Sequence, residues 1–359
     1  MKTTIQGIAI RGVVGAVPGD PLPIASLPSS LTVEELSDMC ASVGLDYLYR
    51  CAPGQTAGDL CLAAARKLID ELQWIPESID AVFMVTQTPD HIMPATACII
   101  HRELGLKHEC LAFDIGMGCS GYVYGLWTAS QFIASGSCKR VLLLAGDTIS
   151  RLLSPKDNSV SVLFGDAGSA TGLEYAPEAS PIAFVGGSDG SGAADLIVPA
   201  GAFRLPIDGV DRTVAECECR SSANLYMDGM SVFNFTLKRV PALLNAVLAE
   251  RGWEPEDVDL FLMHQANAFI LKNFAKRLKI AGRLPLNIGK YGNTSMASIP
   301  LLIADEVRER LVSEEEVKTV MVGFGVGYSW AAAATEIGNL RATGVVQVKK
   351  NEETACTTH

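Results

Sequence analysis

Leu60, Ala64, Leu68 and Leu72 recur at every fourth position. That spacing lines apolar side chains along one face of an α-helix. Thr56, with Asp59 three residues later, resembles a capping box at its start. Pro76 and Asp80 then break the period, and Ala81–Thr86 is a short, continuously apolar run, the pattern of a strand buried on both faces. The same order of events returns in the second half. Residues 74–84 read WIPESIDAVFM and residues 253–263 read WEPEDVDLFLM, an offset of 179 residues. A second echo pairs FGDAGSATGLEY from Phe164 with FGVGYSWAAAATEI from Phe324.

Helices alternating with buried strands indicate a layered α/β architecture. The repeat predicts two related halves, residues 1–175 and 176–337. Pro18–Thr32, rich in Pro and Ser, lies outside the pattern, and residues 338–359 show no apolar period and read as a disordered tail.

Composition narrows the function classes. With 48% hydrophobic residues in 359, the chain can bury a large core. The N-terminus lacks the features of a signal peptide, and Val320–Ala334 is too short and glycine-broken to span a membrane. A cytoplasmic protein is expected. A net charge of -11 argues against a nucleic-acid binder. Of the ten cysteines, Cys217 and Cys219 lie close together, but no second Cys or His pair completes a zinc site.

Three segments carry candidate chemistry. In DIGMGCSGYVYGLWTASQFIASG, residues 114–136, a strand is followed by Gly116 and Gly118 and by a helix opening around Cys119–Ser120. A helix N-terminus favours a thiolate, so Cys119 is expected to titrate below the free value of about 8.5. A packed structural cysteine is the alternative. His264, at the end of the second repeat's strand, is followed by Gln265 and Asn267. The carboxyl ends of such strands are where ligand sites gather, although a satisfied core histidine fits the pattern too. In KYGNTSMASIP, from Lys290, the polar run Asn293, Thr294, Ser295 and Ser298 opens an apolar helix, which ordinary N-capping also explains.

Taken together, the motifs resemble the beta-ketoacyl-acyl-carrier-protein synthase III family along residues 5–337. FDIGMGCSGYVYGL around Cys119, FGDAGSA from Phe164, GGSDGSG from Gly186 and MDGMSVFNF from Met227 carry the likeness. HQAN from His264, YGNTSMASIP from Tyr291 and GFGVGYSWA from Gly323 continue it in the family's order. The resemblance implies a thiolase fold, with two pseudo-twofold-related α/β halves in a five-layered α-β-α-β-α sandwich. It also implies a homodimer without metal or organic cofactor, acting on acyl carrier protein or acyl-coenzyme-A thioesters. Cys119 would be the acylated nucleophile, and His264 and Asn293 its partners in a decarboxylative Claisen condensation with a malonyl-type thioester. Backbone N–H groups of Cys119, Gly325 and Val326 would form the oxyanion hole.

The family also implies that Met93 reaches into the partner's acyl pocket. Departures cluster where the family binds its carrier: Asp38, Ser42, Asn158 and Phe269 stand where a Trp and three Arg are common. At about 100° per residue, Lys272, Lys276 and Lys279 fall on one helix face, a candidate docking stripe for an acidic carrier. Acyl transfer from Cys119 to a hydroxyl or amine, or service as an inactive partner subunit, are the competing readings.

Overall fold

The computed structural model describes residues 1–29, 31–207, 219–313 and 315–349. Among the described residues, eleven strands of four or more residues build two sheets. They are β1 (Lys2–Ile5), β2 (Ile8–Pro18), β3 (Ala81–Val85), β4 (Leu111–Ile115), β5 (Arg140–Ala145) and β6 (Gly168–Tyr175) in the first half of the chain. Next come β7 (Ile182–Ser188), β8 (Leu260–Met263), β9 (Val317–Gly325), β10 (Ser329–Ile337) and β11 (Ala342–Val348). The six-stranded sheet has the order β11-β2-β6-β5-β3-β4 and the five-stranded sheet β1-β7-β10-β9-β8.

The repeat is visible in those orders. β2-β6-β5-β3 in one sheet corresponds to β7-β10-β9-β8 in the other, and the two Trp-x-Pro-Glu segments precede β3 and β8, which hold equivalent places. Each segment is a local clamp. Asp80 accepts hydrogen bonds from the backbone N–H groups of Lys139 (2.7 Å) and Arg140 (3.1 Å) at the start of β5. Asp259 accepts from Lys318 N–H (3.0 Å) at the start of β9. Trp74 lies under the Arg140 guanidinium and Trp253 under that of Arg251, at 5.1 and 4.6 Å from the ring centres.

Helices form the other layers. α1 spans Val33–Val43 and buries Leu36. α2 (Ala57–Leu72) and α3 (Thr96–Glu103) cover one face of the six-stranded sheet. α2 begins with the expected box, Asp59 N–H to Thr56 Oγ1 at 3.2 Å and Thr56 N–H to Asp59 Oδ2 at 2.9 Å, and buries Leu60, Ala64, Leu68 and Leu72. α4 (Gly121–Ala134) and the helical segment from Ser295 to Val312 are sandwiched between the sheets, where the largest core collects. α5 (Gly229–Arg251) and α6 (Ala268–Arg277) cover the outer face of the five-stranded sheet. The result is the α-β-α-β-α sandwich of the thiolase fold.

Two expectations change. Residues 342–348 are not a loose tail: β11 pairs in parallel with β2 from Ala342↔Gly12 to Val348↔Pro18, and Ala342 is buried. Residues 350–359 lie outside the described ones. The terminal strands also cross over, since β1 joins the second half's sheet and β11 the first's, so a cut at Tyr175 does not separate the two sheets. No described helix is long and apolar enough to cross a membrane.

Candidate active site

The strand ends bring the three segments together. β4 ends at Ile115, and the chain turns through Gly118 to Cys119 before α4 begins at Gly121. His264 follows β8 directly, its N–H bonded to Val322 O of β9 at 2.8 Å. Asn293 is held by backbone bonds on both sides, its N–H to Leu163 O (2.9 Å) and its carbonyl from Gly165 N–H (3.0 Å). Cys119, His264 and Asn293 line one narrow cavity of about 90 Å³, with Phe164, Val232, Ile270 and Phe324 among its apolar walls.

Glycines in β9 set how closely Cys119 is held. A Cβ on Gly325 would lie 2.6 Å from Cys119 Cβ and 2.9 Å from its Sγ, and one on Gly323 would lie 2.8 Å from Ser120 Cα. The turn is tied on the other side by Ser120 Oγ and Ser329 Oγ, 2.7 Å apart.

Burial dominates the electrostatics. It pushes the Cys119 thiol up to about 11, although the Ser295 hydroxyl and the backbone N–H groups of Cys119 and Val326 pull the other way. The lowered value expected from a helix N-terminus is thus reversed. Ser120 is the N-cap, which leaves the thiol one residue short of the helix, and it is 7% exposed; a thiolate there loses its water. Burial likewise lowers His264 to about 3, so its imidazole is neutral. Its Nδ1 pairs with Ser298 Oγ at 2.8 Å. The Asn293 side chain is oriented by Ser295 N–H, which donates to Oδ1 at 3.0 Å, leaving Nδ2 as the donor side.

Sequence reasoning named Ser295 and Ser298 only as polar helix openers; both hold the site's side chains. Asp147, which is buried two residues past β5, drew no reading from the sequence. The available signal was a carboxylate just after the wholly apolar VLLLA run. Among the described residues no group of three His, Cys, Asp or Glu could hold a metal ion. Cys217, half of the C-E-C pair, lies outside the described residues.

The more distant candidates separate. Met93 is 77% exposed on the single chain. Asp38 and Ser42 are exposed on α1, and Asn158 accepts from Ser29 Oγ at 3.1 Å. Phe269 is 55% exposed, with Phe233 at 6.0 Å between ring centres. Lys272, Lys276 and Lys279 are all exposed, but they do not form one helical stripe. α6 ends at Arg277, and Lys279 lies beyond it with φ +56°, so helical angles place Lys272 and Lys276 alone.

Residues 113–190 match the family model of 3-oxoacyl-[acyl-carrier-protein] synthase III, and residues 248–337 match that of its C-terminal part. A beta-ketoacyl-[acyl-carrier-protein] synthase III of Desulfitobacterium hafniense is 33% identical over 90% of this chain and 97% of its own length. The crystal structure of a 3-oxoacyl-(acyl-carrier protein) synthase from Burkholderia xenovorans superimposes with a TM-score of 0.91 at 43% identity, covering 97% of this chain and 99% of that one. The priming beta-ketosynthase of the R1128 polyketide pathway is similar at 26% identity and a TM-score of 0.78, over 94% and 98% of the two chains. Sequence and fold agree along nearly the whole length: the chain belongs to the 3-oxoacyl-[acyl-carrier-protein] synthase III family of condensing acyltransferases.

Proposed function

We propose that this enzyme carries an acyl group on Cys119 and condenses it with a malonyl-type thioester, in fatty-acid or polyketide-like metabolism. The observation that carries the reading is the convergence of Cys119, His264 and Asn293 on one narrow, largely apolar cavity. Cys119 Sγ attacks the carbonyl of an acyl thioester and the carrier thiol leaves. The malonyl-type thioester then loses carbon dioxide, which places enolate charge on its thioester oxygen. The N–H of neutral His264 and the Asn293 amide donate to that oxygen, a role that an imidazole held near pKa 3 suits because it cannot be lost to protonation. The carbanion attacks the acyl-cysteine, and the backbone N–H groups of Cys119 and of the Gly325–Val326 turn receive the tetrahedral oxyanion. Each such donor is worth roughly a hundred- to a thousandfold in rate.

The enzyme works as a homodimer in this reading, with Met93 of each protomer entering the other's acyl pocket, and it resides in the cytoplasm. Its thioesters come on an acyl carrier protein or on coenzyme A. Mass spectrometry of Cys119 after incubation with a panel of acyl thioesters, with and without malonyl thioester, tests the chemistry. Cys119→Ala abolishes the acyl adduct, whereas His264→Ala and Asn293→Ala still acylate but lose condensation by about a hundredfold or more. Condensation by both of those variants at the wild-type rate would refute the assignment. An adduct that malonyl thioester never discharges, while a hydroxyl or amine does, would replace condensation by acyl transfer.

A further inference from the structure

A neutral, buried thiol poses a problem that the three assigned residues do not solve: its proton must go somewhere when Cys119 becomes acylated. Ser295 is the side chain nearest to an answer. Its Oγ is 3.9 Å from Cys119 Sγ, and it sits at φ +52°, an uncommon conformation for a residue with a side chain.

Asp147, one of the most deeply buried carboxyls, is 1% exposed. Its Oδ1 is saturated. It accepts from Thr86 Oγ1 (3.1 Å), Gln87 N–H (2.8 Å), Thr88 N–H (3.2 Å) and Thr88 Oγ1 (3.0 Å). Its Oδ2 is buried and has no hydrogen-bond partner among the described residues. The Ser295 hydroxyl favours the ionised form of that carboxyl. A buried carboxylate oxygen without a firm partner is costly and calls for an explanation.

We propose that Asp147, acting through the Ser295 hydroxyl, accepts the Cys119 proton during self-acylation. This rests on Cys119 being the acylated nucleophile. As the thiol sulfur bonds to the acyl carbon, its S–H proton passes to Ser295 Oγ, and the Ser295 proton passes to Asp147 Oδ2. When the tetrahedral intermediate collapses, the carrier sulfur leaves with the C–S electron pair and takes the proton back along the same path. The balance is one thioester exchanged for another, with Asp147 regenerated. Asp147 never touches substrate, so it is a positioning residue for the step.

The relative basicities support this route. Burial raises Asp147 to about 6 and lowers His264 to about 3, so the carboxylate is the stronger base of the two. Among the described residues, the thiols Cys61 on α2 and Cys119 itself both feel the Asp147 charge. Burial holds both neutral, at about 12 and about 11.

The test is rapid-quench mass spectrometry of Cys119 acylation by the octanoyl thioester of N-acetylcysteamine, from pH 5 to 9. In the wild type the rate rises through a step near pH 6. In Ser295→Ala and in Asp147→Asn, which keeps an acceptor for the four Oδ1 donors, acylation at pH 7 falls at least tenfold. In both, the step near pH 6 disappears. Ser295→Thr, which keeps the hydroxyl, retains the step. Acylation of Ser295→Ala within threefold of the wild-type rate would overturn the relay. So would a slower rate with the pH profile unchanged, since a merely structural serine predicts that. If Asp147→Asn does not fold, Ser295→Ala and Ser295→Thr decide alone. A wild type that no thioester acylates on Cys119 would instead remove the reading on which the relay rests.

Discussion

Cys119 and its neighbours are titratable groups that water does not reach, so their protonation is coupled to stability with signs that can be worked out. His264 is lowered from 6.5 to about 3. Between those values the unfolded chain binds a proton that the folded one excludes, and stability falls as pH drops, by about 1.4 kcal/mol per unit at most. Asp147 is raised from 3.8 to about 6, so its contribution is present below pH 3.8 and is lost as pH rises through 6. From about pH 4 to 6 the two terms offset. Asp147→Asn removes one of them, so its melting temperature should fall more steeply than the wild type's between pH 6 and 4; parallel melting curves would contradict a raised carboxyl. The second residue-scale prediction concerns Gly325, where a methyl group would overlap Cys119 Sγ at 2.9 Å. Gly325→Ala should cost about 1–3 kcal/mol of stability by overpacking. Because small displacements of reacting groups are expensive, it should also slow Cys119 acylation at least tenfold. A variant that melts lower yet acylates normally would show that the close approach serves packing alone.

Elements form where local and long-range demands coincide, and this explains which were legible. α2 and β3 could be read from residues 56–86 because the capping box, the four-residue period and the apolar run are all local. The Trp-x-Pro-Glu repeat was legible because its Asp fastens the next strand in the same way in both sheets. Asp259→Ala strips the Lys318 N–H of a charged acceptor and should cost about 1–3 kcal/mol. Faster hydrogen exchange at the Lys318 amide should accompany that loss, and unchanged exchange would show the clamp to be idle. β11 was illegible because its partner β2 lies at the other end of the chain, and its own residues, ATGVVQV, carry little apolar period. The site divides similarly. Cys119, His264 and Asn293 sit in distinctive glycine-rich or polar segments at strand and helix ends. Asp147 and Ser295 look like ordinary turn and cap residues, and only the packing of β5 against the central helices gives them a common neighbour. The thiol's pKa was misjudged for a related reason: the helix start is visible in sequence, whereas the completeness of burial is not.

At the scale of the whole molecule, surface features decide what the enzyme meets. β4 is the outer strand of its sheet, with Leu111 43% exposed. An open apolar edge is a pairing liability unless something covers it, which accords with the proposed homodimer. A docking surface for the carrier is proposed elsewhere, at the mouth near α6. There Phe269 is exposed and Lys272 and Lys276 extend into solvent, and neither lysine is in an ion pair among the described residues. The stripe is shorter than helical angles alone suggested, since Lys279 lies past the helix end, but two adjacent cations remain on a protein of net charge -11. Their helix starts at Ala268, beside the cavity-lining Asn267 and Ile270, so an acidic carrier attracted to them would arrive near the entrance. Charge complementarity of this kind acts mainly on the association rate and weakens with salt. The double reversal Lys272→Glu with Lys276→Glu should therefore reduce kcat/KM for acyl-carrier-protein thioesters by about tenfold at low salt, and by less at moderate salt. The same variant should leave N-acetylcysteamine thioesters, which carry no acidic partner, within about twofold of the wild-type value. Equal losses on both substrates would point to a disturbed site, and no loss on either would mean that the lysines only solvate the helix, leaving the carrier to another face of the protein.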